Sequence, residues 1–310
     1  MTLRSDQPPG GVGEGAPAAR VMADRAGPAL VREVEGSSER SMAMTVDTDL
    51  AIETDSIEKY FIKDGNLNHV LDGVSVSLRR GELASLIGPS GCGKSTFLKI
   101  LAGLESYQSG TVDVLGDEPG SGRFDIGFVF QGLALLPWRT VLDNVLLPSE
   151  FVKMNKGEAR ARAKRYLSTV GLDGYENYYL REVSGGMRQR VALARVLMSE
   201  ARLLLLDEPF SALDEFTRES INMLFMNVCA ETRAAALLVT HSIQEAVLMS
   251  DRVFVMSGRP ARVVDEVEIS IPRPRSRHVM VETAFVDAVK RIRSSLGLED
   301  AQESTVDDPP

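Results

Sequence analysis

The chain of 310 residues is 44% hydrophobic and 25% charged, the proportions of a soluble globular protein with ample core for one large or two modest domains. Its net charge of -9 excludes a dedicated nucleic-acid binder, which would need a basic surface, so a bound phosphate belongs to a small ligand. Two cysteines, Cys92 and Cys229, are too few for a disulfide framework and point to a reducing cytosol, and no stretch is apolar for long enough to cross a bilayer, which leaves peripheral attachment to a membrane.

Residues 1–45 are rich in Gly, Pro, Ala, Ser and charge without an apolar period, and read as a disordered leader in which Met42 and Met44 offer alternative starts. Apolar and polar residues then alternate over Leu50 to Phe61 and Val70 to Leu78 around the turn Asp64-Gly65-Asn66, which predicts antiparallel strands. At their junction, Tyr60 or Phe61 either stacks on an adenine ring or packs as an ordinary aromatic.

The apolar run Leu83 to Ile87 breaks into Gly88-Pro89-Ser90-Gly91-Cys92-Gly93-Lys94-Ser95-Thr96 and then into a helical pattern closed by Gly103. This is a strand, a phosphate loop and a helix. The glycines let successive N–H groups point inward, and the helix start adds its positive dipole end. Lys94 reaches the β- and γ-phosphates, Ser95 offers Mg²⁺ a hydroxyl, and Thr96 is a donor on the α-phosphate side. Cys92 is read as a small filler, because no acid–base partner is near in sequence.

Gly110 to Val114 and Ile126 to Phe130 are the next strands. Gln131, at the end of the second, either ligates Mg²⁺ and holds water or is a surface glutamine. Leu135-Leu136-Pro137-Trp138, a segment from Val141 to Leu147 and a charged helix from Lys156 to Val170 closed by Gly171 form a helical insertion over about 132–190. Its Lys/Arg run is read as a solvated face. Ser184 then caps a helix whose first residues, Gly185 and Gly186, leave bare amides, a second anion site.

Leu203 to Leu206, apolar without alternation, suits an interior parallel strand, and it delivers Asp207 and Glu208 to a carboxyl edge where open α/β sheets bind ligands. Asp207 reads as a Mg²⁺ ligand, directly or through water, and Glu208 as the base for an attacking water, with a helix cap as the alternative for the pair. Another buried strand, Ala236 to Thr240, ends at His241, placed to bond a γ-phosphate, and Ser242 caps the following helix. Arg252 to Met256 and Arg262 to Ile271 close the sheet, Pro272 to Arg277 is a stiff, solvated basic turn, and a helix from about Val281 to Leu296 precedes an acidic tail.

The order of these motifs resembles the ATPase subunit of ATP-binding cassette transporters, over roughly Leu50 to Arg275. The resemblance implies an α/β fold: a P-loop NTPase core with a mainly parallel sheet, an N-terminal antiparallel β subdomain and an inserted α-helical subdomain. It implies a nucleotide-binding domain over 46–275, followed by a C-terminal helix and acidic tail over 276–310. By resemblance the ATP-binding residues are Phe61 (or Tyr60), Gly88, Pro89, Ser90, Gly91, Cys92, Gly93, Lys94, Ser95 and Thr96, with Ser184, Gly185, Gly186, Gln189 and Asp214 acting from a second copy. Ser95, Gln131 and Asp207 hold Mg²⁺, and Glu208, His241, Gln131 and Lys94 are catalytic.

Leu-Leu-Pro-Trp-Arg-Thr-Val, Ser-Gly-Gly-Met-Arg-Gln-Arg and the late Pro-Arg-Pro-Arg are most similar to the nitrate, sulfonate and taurine import subunits. The partners implied are an ATP-sandwiched second copy, transmembrane permease subunits and, indirectly, an extracytoplasmic solute-binding protein, at the cytoplasmic face of the membrane. Leu136 and Trp138 are read as exposed contacts to the permease, with core packing as the alternative for Trp138. Val183 stands in place of the family's Leu, Ser242 in place of Asp, and Ala201-Arg202 in place of a Pro-containing entry. The rival readings are an exporter subunit, a DNA-repair ATPase, which needs a long coiled coil absent here, a translation factor, which needs two motif sets, and a nonhydrolysing module, which conflicts with Glu208 and His241.

Overall fold

In chain order the computed structural model has strands β1 (Leu50–Lys63), β2 (Asn66–Arg79) and β3 (Leu83–Ile87), helix α1 (Lys94–Leu101), β4 (Ser109–Val114), β5 (Ile126–Val129) and helices α2 (Val141–Phe151), α3 (Lys156–Thr169) and α4 (Gly185–Met198). Then come β6 (Leu203–Asp207), α5 (Glu215–Thr232), β7 (Ala235–Val239), α6 (Ile243–Met249), β8 (Arg252–Met256), β9 (Val263–Glu268) and α7 (Thr283–Ser295). It describes residues 49–63, 65–120, 123–211 and 213–298, so the leader and the acidic tail read from the sequence lie outside the described residues.

One sheet has the order β2-β1-β4 and is antiparallel; the other has the order β5-β6-β7-β3-β8-β9 and is parallel except for its β8–β9 edge. Every residue of β3, β6, β7 and β8 is buried. A two-residue side-chain period sends Leu204 and Leu206 of β6 into a core formed with α2 to α7, and Leu203 and Leu205 into a second core formed with the antiparallel sheet and α1. This double burial is why these strands read as uninterrupted apolar runs.

The structure corrects three readings. Helix α2 continues past Leu147 through Pro148 to Phe151, because Pro148 removes a single N–H and the Ser149 hydroxyl takes the Leu146 carbonyl at 2.6 Å. Leu136 is half-buried rather than exposed: the fully buried Asn144 accepts from its N–H at 2.8 Å and donates to its carbonyl at 3.1 Å. The basic turn Pro272 to Arg277 is not solvated throughout: Pro272, Pro274, Ser276 and Arg277 are exposed, but Arg275 is only 2% exposed.

Arg275 instead closes the C-terminal end of α6. Its guanidinium donates to the carbonyls of Val247 (3.1 Å), Leu248 (3.1 Å), Ser250 (2.6 Å), Ile271 (2.9 Å) and Ile269 (3.4 Å). The last carbonyls of a helix have no partner within it, and the planar fork supplies donors and positive charge together. Burial pushes the pKa of this guanidinium down, opposed by the nearby Asp251 carboxylate.

The other end of α6 is held by a buried polar network. Ser242 Oγ accepts from the Glu245 N–H at 3.3 Å, Thr240 Oγ1 accepts from the Ser242 N–H at 3.0 Å and donates to Glu245 Oε2 at 2.5 Å, and Asn222 Nδ2 donates to Glu245 Oε1 at 3.3 Å. Burial raises the pKa of Glu245, and among the described residues Asn222 Oδ1 has no hydrogen-bond partner.

Two predictions follow from how α6 is anchored. Arg275→Ala leaves several buried carbonyls unpaired and costs about 3 kcal/mol, a melting temperature lower by roughly 6 to 12 °C for a domain of this size, read by thermal denaturation. Glu245 has a folded pKa above its unfolded one, so the fold binds the extra proton: its destabilising contribution is full above the folded pKa and vanishes as pH falls to the unfolded one. Wild type therefore gains stability relative to Glu245→Gln as pH is lowered from 8 towards 5, measured by urea denaturation at each pH.

Candidate active site

Between β3 and α1 the chain turns through Gly88 to Gly93, and Gly93 stands at the N-cap of α1 with φ 136° and no side-chain cap. A Cβ there would meet Leu71 Cδ2 at 2.8 Å and Val70 Cγ1 at 3.0 Å, so β2 packs where only glycine leaves room. Among the described residues no side chain caps the first amides of α1, the chemistry of a phosphate nest. Lys94, 6% exposed, lies across the loop, its Nζ donating to the carbonyls of Gly88 at 2.7 Å and Pro89 at 2.9 Å. Cys92 is buried in the second core, as its reading as a filler required.

The catalytic edge follows from strand register. Val129 of β5 pairs with Leu206 of β6, and Asp207 pairs with Val239 of β7, so the residues just after these strand ends gather on one rim. Ser95 Oγ donates to Asp207 Oδ1 at 2.8 Å. Burial, then the adjacent Glu208 carboxylate, raises the pKa of Asp207 against the Ser95 hydrogen bond. Glu208 has φ 47°, a left-handed conformation that costs on the order of 1 kcal/mol for a non-glycine residue. It is held there by its N–H to the Val239 carbonyl (2.9 Å) and by its own carbonyl, which accepts from Ser211 Oγ (3.0 Å). Its Oε2 then faces Gln131 Nε2 and His241 Nδ1, each at 3.5 Å.

Ser90, Gly91, Gly93, Lys94, Ser95, Thr96, Gln131, Glu208 and His241 line one cleft of about 530 Å³, together with Arg259, which the sequence reading did not single out. Gly88, Pro89 and Cys92 form the base of the loop and do not line it. The donor set suits Mg²⁺: a serine hydroxyl, a carboxylate and an amide are hard oxygen ligands, and Ser95 already touches Asp207. The loop amides and Lys94 suit a polyphosphate.

The remaining residues lie elsewhere. Ser184 Oγ accepts from the Met187 N–H at 3.2 Å, capping α4, and Asp214 Oδ1 accepts from the Thr217 N–H at 3.0 Å, capping α5 and lowering the Asp214 pKa. Ser184, Gly186 and Asp214 line a second cavity, of about 320 Å³, that shares no lining residue with the first. Gln189 is buried in α4, and among the described residues its Oε1 has no hydrogen-bond partner. Phe61 is half-buried against the second core with Lys59 Nζ 4.5 Å from its ring centroid, whereas the Tyr60 ring stacks on His69 at 4.3 Å and its hydroxyl donates to Glu58. Trp138 is 71% exposed, which rules out core packing for it. Arg259 was missed because nothing local marks it: it meets Gly91 across 168 residues of chain.

Comparison with known proteins agrees with this geometry. Residues 71–211 match the family described as ABC transporter. The aliphatic sulfonates import ATP-binding protein SsuB of Bacillus cereus is 38% identical over 228 residues, 74% of this chain and 90% of the relative. The nitrate import ATP-binding protein NrtC of Synechococcus elongatus is 43% identical over 236 residues, 74% of this chain and 35% of that longer protein. Among solved structures, the dimeric bacterial ABC transporter cassette MJ0796 superposes with a TM-score of 0.65 at 32% identity, covering 71% of this chain and all of that one, and the same cassette is known in a post-hydrolysis state bound to ADP and Pi with a TM-score of 0.65. The chain therefore belongs to the ABC transporter family as an ATP-binding subunit, an ATPase that works on ATP with Mg²⁺.

Proposed function

We propose that the chain is the energy-supplying subunit of an ABC importer for a small anionic solute such as a sulfonate, nitrate or taurine. The names of the sulfonate and nitrate import relatives support that class, and the observation that carries the mechanism is the separation of two anion sites on one chain. A phosphate cradle and a serine-capped helix end with no shared lining residue complete each other when two copies face one another, so that two ATP molecules are sandwiched. The dimeric state of the related cassette supports this arrangement.

In this reading residues 46–275 form the nucleotide-binding domain, with a helical subdomain over 132–190, preceded by a leader over 1–45 and followed by a C-terminal helix and tail over 276–310. Phe61 stacks on the adenine. The amides from Gly91 to Thr96 and Lys94 hold the phosphates, and Ser184, Gly185, Gly186, Gln189 and Asp214 close the site from the second copy. Ser95, Asp207 and Gln131 hold Mg²⁺, which offsets the charge of the transferring phosphoryl group.

Glu208 takes the proton of the attacking water, and its strained backbone aims the carboxylate. Gln131 and His241, which already face Glu208 Oε2, orient that water and sense the γ-phosphate. Hydrolysis removes what holds the copies together, and the dimer opens. The exposed Trp138, in the loop between Gln131 and α2, passes the motion to a transmembrane permease, which an extracytoplasmic binding protein supplies with solute. Among the described residues no helix is long and apolar enough to cross a membrane, in keeping with a peripheral subunit at the cytoplasmic face.

Glu208→Gln is expected to lower ATP turnover by at least about a hundredfold while preserving ATP binding, and to accumulate as an ATP-bound dimer on analytical ultracentrifugation; turnover at the wild-type rate would remove Glu208 as the base. Trp138→Ala is expected to leave the ATPase rate of the isolated chain within about twofold, because an exposed side chain contributes little to the fold, and to abolish its stimulation by the reconstituted permease.

A further inference from the structure

Two arginines leave the turn between β8 and β9 in different directions. Arg262 pairs with Asp72 of β2 through Nε, at 2.7 Å, and Nη2, so its charge is compensated. Arg259 reaches over the phosphate loop, where Nη2 donates to the Gly91 carbonyl at 2.6 Å and Nη1 to Asn68 Oδ1 at 3.4 Å. Both acceptors are neutral. Among the described residues no carboxylate pairs with Arg259, in contrast to Arg123, Arg139, Arg202, Arg252, Arg273 and Arg291.

The turn that carries Arg259 is fixed to the same strand that shapes the loop. The Ala261 N–H donates to the Val70 carbonyl at 2.9 Å and the Asp72 N–H to the Ala261 carbonyl at 3.0 Å, while Val70 and Leu71 press against Gly93. The guanidinium is therefore delivered from a rigid support to the mouth of a cleft whose other cation is Lys94. A guanidinium has five donors in a planar fork suited to phosphate oxygens, and only two of the five are engaged here.

We propose that Arg259 binds the phosphate chain of the nucleoside triphosphate, as a second cation of the cradle acting in cis beside Lys94. It recognises the polyphosphate and not the base. The proposal rests on the ATP reading of the cleft, and the experiment separates the two.

Dissociation constants for ATP, GTP and AMP are measured by calorimetry on the full chain, in wild type, Arg259→Ala, Arg259→Lys, Arg259→Gln and Arg262→Ala, at low and high salt, with thermal melts as a check on folding. The expected result is that Arg259→Ala weakens ATP and GTP by the same factor of about tenfold, weakens AMP by less than about twofold, and flattens the salt dependence of ATP binding. Arg259→Lys keeps more affinity than Arg259→Gln, because charge matters more than a single donor, and Arg262→Ala binds ATP like wild type. In steady state the loss appears in KM, with kcat little changed.

Wild-type affinity for ATP in Arg259→Ala overturns the proposal, and so does a loss confined to ATP and absent with GTP, which would mark a base contact. Arg259→Gln equal to wild type with Arg259→Lys as weak as Arg259→Ala also overturns it, since the residue would then only pin the loop. Should Arg259→Ala fail to fold, the comparison of Lys and Gln decides. A wild-type chain that binds no ATP would instead remove the ATP reading itself.

Discussion

The parallel pairing of β5, β6, β7 and β3 is the constraint on which the rest depends. A parallel sheet needs cover on both faces, and the chain provides it with two separate cores, one built on α2 to α7 and the other on α1 and the antiparallel sheet. Once those faces are covered, the register is settled by alternating side chains such as Leu203 and Leu204, which enter different cores. A slip of one residue would exchange them. The carboxyl ends of the strands then share a rim, where Gln131, Glu208 and His241 meet although they come from distant parts of the chain, with Asp207 beside them bonded to Ser95.

Polar groups near that rim are held by arrangements that an apolar core cannot supply. Helix α6 follows after His241 and Ser242, and polar groups hold both of its ends: Glu245, Thr240 and Asn222 form a buried network at one, and Arg275 satisfies the other. Burying either charged group costs free energy that its hydrogen bonds must recover. The return is positional, because a helix fixed at both ends holds the backbone on which His241 sits. Glu208 is a parallel case, where a left-handed backbone is kept in place by hydrogen bonds to Val239 and Ser211 so that its carboxylate faces Gln131 and His241.

Under the proposed reading the two cavities divide the labour of nucleotide binding. One contains the cradle, the Glu208 carboxylate and two cations, Lys94 and Arg259; the other contains the capped start of α4 and the start of α5. Each has bare or capped helix amides suited to anions, and neither holds the complete set of groups. Under the proposed reading this incompleteness is the source of the mechanical step: the ligand, and not an extensive apolar interface, joins the copies, so its hydrolysis is enough to part them.

How much was legible in the chain depended on the range of the interactions. Residues acting within one turn of their own backbone could be read directly: Gly93 with φ 136° at the start of α1, Ser184 and Ser242 as helix caps, Gly103 with φ 66° after α1, and the apolar run of β6 carrying Asp207. The sequence by itself therefore determined the phosphate loop and the buried parallel strands, because each depends on local sterics or on side-chain period, and the order of its motifs carried the resemblance that implied the α/β class and the site residues. Only the tertiary structure decided that Arg275, in a segment resembling a solvated basic turn, lies under α6, that Leu136 is drawn inward by Asn144, that Trp138 stays exposed, and that Arg259 reaches Gly91 across 168 residues. A guanidinium carries no local mark of whether it faces water, a carboxylate or a row of carbonyls; that is set by which distant backbone groups packing leaves without partners.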